Sequence, residues 1–250
     1  MKVVLAEKPS VARDLAAFLG AKKKCNGYIE GNGYCVTWAF GHLVTLKEPH
    51  EYDPKLKRWS VDTLPFIPKN FELKLTASKG IREQMTIIHR LFKSAEEIIC
   101  ATDAGREGEL IFRYILSITR CTQKPIKRLW LSSLTEEAIA KGFEDLRDGK
   151  DFDNLYAAAK CRSEADWIVG LNATRNMTVR FGRGSLLWSV GRVQTPVLNI
   201  IATRDETIRH FVPQSFWDLL TTYRGVQFKY TGKRFDEEIK AKIFLEKVEG

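Results

Sequence analysis

The sequence predicts an α/β protein: a mostly parallel sheet with helices on both faces, then a mainly helical region, then the opening of a β-rich one. Three observations predict it. Short apolar strands alternate with helical periodicity up to about residue 150; no strand pattern interrupts residues 151 to 210; a period of two returns between Phe216 and Tyr230. Strands that alternate with helices pair in parallel, because each helix carries the chain back across the sheet.

Lys2-Val3-Val4-Leu5-Ala6 is the first strand, and Val11, Leu15 and Leu19 carry a helix that stops at Gly20. Pro9 and Ser10 between them are helix-start chemistry. Asn26-Gly27 and Asn32-Gly33 mark hairpin turns on either side of short strands, and Tyr34 to Ala39 is a further strand. From Lys47 to Pro68 there is no period, which reads as a long surface loop. Phe71 to Leu75 alternates as a half-exposed strand; Ile81, Met85, Ile88, Leu91 and Phe92 keep helical spacing. Ile98 to Thr102 is a buried strand, Leu110 to Ile118 a helix, Ile126 to Leu131 a strand, and Thr135-Glu136-Glu137 opens a helix that ends near Gly149. Leu155 to Leu171 reads as a long helix and Gln194 to Ile208 as another; Phe216 to Tyr230 reads as a hairpin about Arg224-Gly225.

Chemistry concentrates where the central strand gives way to Asp103-Ala104-Gly105-Arg106-Glu107-Gly108-Glu109. Asp103 and Glu107 are hard oxygen donors suited to Mg²⁺, or they are first-turn acids that favour the helix dipole. Glu7 stands at the other strand-to-helix junction, beside Lys8. Both junctions lie at the carboxyl edge of a parallel sheet, where ligands bind in open α/β folds. That common edge raises the odds that Glu7, Asp103 and Glu107 share one cation; Lys8 beside Glu7 is either a phosphate contact or a solvated surface lysine, and Glu7 alone would be a helix-start charge. His42 after Gly41 would touch a phosphate, pair with a carboxylate, or serve only its loop.

Basic residues punctuate the helical region: Lys160, Arg162, Arg175, Arg180, Arg183, Arg192 and Arg204. Such a scatter is usually a solvated helix face. Gly182-Arg183-Gly184-Ser185 and Ser189-Val190-Gly191-Arg192-Val193-Gln194-Thr195-Pro196 expose backbone N–H groups beside Arg and Gln at a helix start, which seats phosphate. Trp188 is either a base-stacking ring or a core residue. The 40 basic residues outnumber 31 acidic ones, giving a formal charge of +9. That excess points to a polyanionic partner, nucleic acid before membrane. The five cysteines form no Cys-x-x-Cys pair, which argues against structural zinc or a disulfide scaffold and favours a reducing, cytoplasmic compartment. No signal peptide or membrane span fits the N-terminus.

Taken together, Ala6-Glu7-Lys8-Pro9-Ser10, Gly41-His42-Leu43, Thr102 to Glu109, Arg162-Ser163-Glu164-Ala165-Asp166-Trp167 with Gly170 and Asn172, and Ser189 to Pro196 resemble the motifs of type IA DNA topoisomerases, nearest the bacterial topoisomerase III group. The resemblance covers nearly the whole chain, in order. It implies a Toprim domain over residues 1–150, a helical DNA-binding domain over 151–212 and the start of a β-rich arch domain over 213–250. It implies an Mg²⁺-dependent enzyme that breaks and rejoins one DNA strand through a phosphotyrosine. Glu7 and Lys8 would sit at the scissile phosphate, and Asp103 and Glu107, with Glu7, would hold Mg²⁺. Arg162, Ser189, Arg192 and Gln194 would hold the single strand, with His42, Arg106, Glu109, Arg175 and Trp188 as further candidates. A monomer is expected, with a helicase as the partner class it allows.

Two departures qualify what the resemblance implies. The family's acidic motif is Asp-x-Asp-x-Glu, and the middle acid here is Gly105, so one carboxylate is missing. Glu109 stands two residues past Glu107, a spacing that points it elsewhere on a helix. None of the seven tyrosines (28, 34, 52, 114, 156, 223 and 230) has the Tyr-Pro-Arg-like context of the family's nucleophile. The expectation is an N-terminal part of a chain more than twice as long, binding single-stranded DNA and Mg²⁺ weakly and cleaving nothing alone. A Toprim-type nuclease or primase, and a non-catalytic DNA-binding module, are the competing readings.

Overall fold

A computed structural model describes residues 1–182, 184 and 186–249. The chain divides into two compact units, Met1–Arg192 and Val193–Gly250. In the first unit the elements run β1 (Lys2–Ala6), α1 (Pro9–Phe18), β2 (Lys23–Cys25), β3 (Tyr28–Gly31), β4 (Tyr34–Trp38), β5 (Val44–Leu46), β6 (Leu73–Leu75), α2 (Lys79–Ser94), β7 (Glu97–Ala101), α3 (Arg106–Ile118), β8 (Ile126–Arg128), α4 (Glu136–Glu144), β9 (Arg147–Asp148) and α5 (Asp153–Phe181). The second unit holds α6 (Gln194–Arg209), β10 (Leu220–Tyr223), β11 (Val226–Lys229) and α7 (Glu238–Glu249).

Seven strands form the main sheet in the order β2-β3-β4-β1-β7-β8-β9. The four central strands, β4, β1, β7 and β8, are mutually parallel; β2, β3 and β9 add antiparallel edges. Side chains of a strand alternate between faces. Val3, Leu5, Ile98 and Cys100 therefore pack with α2 and α3, while Val4, Ala6, Ile99 and Ala101 pack with α1 and α4. Both faces are covered, which is why β1 and β7 read as unbroken apolar runs. Each buried Val, Leu or Ile here contributes about 1.5–3 kcal/mol by leaving water. At the β3–β4 turn, Asn32 and Gly33 both take positive φ (48° and 80°), the backbone that Asn-Gly supplies to a two-residue hairpin.

Several elements differ from the sequence reading. β8 stops at Arg128 instead of Leu131, because Lys127 and Arg128 pair with β9 and the chain then leaves the ladder. Only Leu73–Leu75 of the 71–75 stretch is strand, in a separate ribbon with β5. The aperiodic stretch from residue 47 to 68 contains three 3₁₀ turns, Pro49–Glu51, Pro54–Lys57 and Val61–Thr63. Most of its residues are exposed, as a surface loop requires, yet it is tied to α5. Asn172 both accepts from the Phe66 N–H (2.6 Å) and donates to the Phe66 carbonyl (2.9 Å), and Trp167 packs edge-on to Phe66 and Phe71. α5 runs to Phe181, ten residues beyond the reading, and stays with the sheet in the first unit, packed on α3. The compact units divide after Arg192.

In the second unit, β10 and β11 form an antiparallel hairpin about Arg224 and Gly225, both at positive φ (52° and 77°). Tyr230, Phe235 and Phe244 cluster beneath it, with centroids 4.9–6.0 Å apart. No described helix is long and apolar enough to cross a membrane.

Candidate active site at the carboxyl edge of the sheet

The register of β1 and β7 builds the site. Ala6 lies opposite Ala101, so the residues that follow leave the ladder together. Glu7 and Asp103, 96 positions apart, meet there: the Asp103 N–H donates to Glu7 Oε2 at 3.1 Å. The Lys8 ammonium sits 3.1 Å from Asp103 Oδ2. Lys8 occupies the N-cap position of α1 with an extended backbone, and Pro9, next, needs no hydrogen-bond acceptor. The lysine ammonium, a donor with no acceptor atom, cannot cap the helix and pairs with Asp103.

Burial is the main cause that raises the Glu7 carboxyl above its ordinary value. The Asp103 carboxylate adds to the rise; the Asp103 N–H, Lys8 and His42 oppose it. The hydrogen bond to Asp103, with its charge, raises the Lys8 ammonium. The junction therefore pairs a carboxyl that holds its proton more strongly than usual with a firmly charged lysine.

The loop from Thr102 to Gly108 is tightly wrapped. A Cβ on Gly108 would stand 2.2 Å from the Asp103 carbonyl oxygen and 2.9 Å from its nitrogen, so only glycine fits. The Thr102 hydroxyl donates to the Gly108 carbonyl at 2.8 Å. Beneath it, Cys100 is wholly buried and its thiol is pushed up to about 11, an inert core residue. Gly105 is extended (φ 175°) at the start of α3.

Glu107, in the first turn of α3, lines a separate cavity of about 200 Å³ with His42, Tyr114, Arg162, Asp166 and Trp167. It is not grouped with the other two acids: among the described residues, no three His, Cys, Asp or Glu side chains are close enough together to hold a metal ion. The donor chemistry at Glu7 and Asp103 nevertheless suits Mg²⁺, which takes one or two carboxylates and keeps much of its water. Glu109 points into the core, its carboxylate on Arg113 (2.8 Å) and Arg128 (3.3 Å). It cannot stand in for the acid missing at Gly105. Arg106 is exposed.

The candidate strand-binding residues divide. Beyond α5 the chain turns back along it as an extended segment. The Trp188 N–H donates to Thr178 Oγ1 (3.0 Å) and the Val190 N–H to Thr174 Oγ1 (2.9 Å). Two extended residues advance about 6.6 Å and one helical turn about 5.4 Å, so threonines four apart meet alternate residues. Arg192 closes the run with a bidentate pair to Asp166 (2.7 and 3.2 Å), which Arg162 also approaches at 3.9 Å. Asp166 is held below its ordinary value chiefly by the hydrogen bond from Arg192. Ser189 is exposed in this segment, and Gln194 begins α6 in the second unit. Trp188 is not a core residue; it is 45% exposed, its ring tilted against Phe181. Arg175 is the clear correction: it is buried, donates to the Leu56 carbonyl at 2.9 Å and lies over Trp59, so it fastens the 47–68 stretch rather than facing a ligand. Arg183 and Ser185 lie outside the described residues.

Sequence reasoning missed Arg128, Asp166 as the acceptor for Arg192, and the threonine pair. Arg128 stands beside Lys127 in its strand, and nothing in the sequence says which of the two cations turns inward. Nothing local marked the other three.

Two family models match the chain. Residues 2–134 match the family model described as Toprim domain, and residues 150–250 the one described as DNA topoisomerase. Among curated relatives, a DNA topoisomerase 3 of Shouchella clausii is 49% identical over 95% of this chain and 32% of its own length. One of Bacillus thuringiensis is 52% identical over 87% and 29%, and one of Bacillus licheniformis 48% identical over 93% and 31%. The chain thus spans about a third of the length of the curated relatives it matches. With its Toprim fold and these matches along nearly all of its length, this chain belongs to the DNA topoisomerase family.

Proposed function

We propose that this chain is the acid-bearing and strand-gripping part of a type IA topoisomerase, which breaks and rejoins one DNA strand through a phosphotyrosine with Mg²⁺ as cofactor. The observation that carries this reading is the meeting of Glu7, Asp103 and Lys8 at the carboxyl edge of the sheet. Lys8 offers a fixed positive charge to a phosphate oxygen. Glu7, with its raised proton affinity, is suited to give a proton to the oxygen that leaves the cut strand and to take it back on rejoining. Asp103 and Glu107, with Glu7 in its ionised form, would hold Mg²⁺, which would supply Lewis-acid stabilisation of the developing phosphate charge. Arg162, Ser189, Arg192 and Gln194 bind the strand; the two arginines exchange Asp166 for phosphate, so affinity falls steeply with salt.

The nucleophile belongs to another part of the longer protein. Tyr114 lines the Glu107 cavity, yet it is buried, and burial raises its phenol above 10.0, against phenolate formation. The reading takes 1–150 as the Toprim domain, 151–212 as the helical DNA-binding domain, 213–250 as the start of the arch, and the cytoplasm as its compartment. The test is incubation of labelled single-stranded DNA with this chain and Mg²⁺. Binding without a covalent protein–DNA band is expected. A covalent band would overturn the assignment of the nucleophile, and nicking of plasmid without a covalent band would favour the nuclease reading.

A further inference from the structure

Arg128 is 1% exposed and sits directly beneath the acidic loop. The parallel ladder between β7 and β8 ends at Cys100 opposite Arg128. Past that point the carbonyls of Thr102 and Asp103 have no strand beside them. The guanidinium takes the place of the missing strand. Its Nη1 donates to the carbonyls of Thr102 (2.8 Å) and Cys100 (3.1 Å), and its Nη2 donates to that of Asp103 (2.8 Å). Trp130 covers one side, with its ring centre 5.0 Å from the guanidinium carbon.

A cation in this position conflicts with a site meant to attract another cation. Glu109 resolves the conflict. It is also 1% exposed, with Oε2 at 3.3 Å from Arg128 Nε, within ion-pair range though not aligned as a hydrogen bond. Its other oxygen takes Arg113 Nε at 2.8 Å, and Arg113 in turn meets Asp153 at 2.8 Å. Arg113 is thus shared with the exposed Asp153, and Glu109 is the buried carboxylate that faces Arg128. We propose that Arg128 is a positioning residue that fixes the Asp103 loop in its metal-binding shape, and that Glu109 cancels its charge so the loop still draws in a divalent cation. The inference rests on the metal-binding reading above.

The test is direct titration of this 250-residue chain with Mn²⁺ as the probe, followed by its paramagnetic signal, with no DNA and no turnover. Arg128→Lys keeps the positive charge opposite Glu109 and loses the fork; about tenfold weaker Mn²⁺ binding is expected, as when groups behind a metal ligand are removed. Glu109→Gln leaves the fork and uncovers the charge; weaker binding is expected, with a loss that shrinks as salt is added. Arg113→Lys perturbs the same network without touching the loop, and binding as in the parent is expected. Should Arg128→Lys give no cooperative unfolding transition, Trp130→Leu carries the test, since it opens the guanidinium to water while leaving its donors; a several-fold loss is expected. Parent-like Mn²⁺ affinity in Arg128→Lys, or in Trp130→Leu where that carries the test, would overturn the proposal and leave the metal reading standing. Equal losses in Arg113→Lys and Arg128→Lys would also overturn it, as a sign of general loosening. No Mn²⁺ binding by the parent would overturn the metal reading itself, and this proposal with it.

Discussion

Two strand-to-helix junctions meet at the edge of one sheet, and they are built in opposite ways. The first passes from Ala6 to Pro9 in two residues, with no side-chain cap on the helix it opens. The second, from Thr102 to Gly108, is wrapped on itself, closed by the Thr102 hydroxyl, and braced from below by Arg128 and Glu109. The short junction places its acid by strand register and by the hydrogen bond from the Asp103 N–H. The long one has room to move and needs an internal frame to hold Asp103 still. Equal chemical duties therefore carry unequal structural costs.

The largest effect is expected where the frame is cut. Arg128→Met leaves the Glu109 carboxylate buried beside Arg113 with half its counter-charge gone. Breaking a buried pair from one side costs about 3–5 kcal/mol, read as a lower midpoint in urea unfolding. A loss below about 1 kcal/mol would show that the long junction does not depend on its brace. A smaller loss is expected from Gly108→Ala, whose methyl would meet the Asp103 backbone at 2.2 Å. Overpacking of this kind costs about 1–3 kcal/mol, and because the obstacle is backbone, Asp103 itself must shift. Amide chemical shifts confined to residues 102–109 would register it.

The smallest effect, of opposite sign, is expected in the short junction. The Glu7 carboxyl is raised in the fold, so its ionisation works against the folded state. The stability linked to the protonated form is complete below the ordinary value of 4.5 and is lost as pH rises through the higher folded value. Glu7→Gln keeps an acceptor for the Asp103 N–H and cannot ionise. Without metal, its melting temperature should exceed the parent's at pH 8 and the gap should close at pH 4. A gap independent of pH, or a variant less stable at pH 8, would show that the junction holds its acid without strain.

The sequence made the strand–helix alternation, both acidic junctions and the Asn32-Gly33 turn readable, because periodicity and turn chemistry are local. The braces were not readable. Arg128 is one of two adjacent basic residues in Lys127-Arg128-Leu129, and only the fold shows that it, not Lys127, turns inward. The 47–68 stretch lacks period because its order comes from Asn172, Arg175 and Trp167, more than a hundred positions downstream. Arg162 and Arg192 look alike in sequence to Arg175, and only the loop lying over Arg175 separates anchor from candidate ligand contact.

The pairing of Ala6 with Ala101 has a consequence for how this site can change over time. A slip of one position between those strands would carry Glu7 away from Asp103, and the same slip would turn Val3 and Leu5 out of one hydrophobic layer and Val4 out of the other. Chemistry and core are locked to a single alignment. Substitution can silence these carboxylates one by one, but the chain has no gradual route by which they drift apart while the protein still folds.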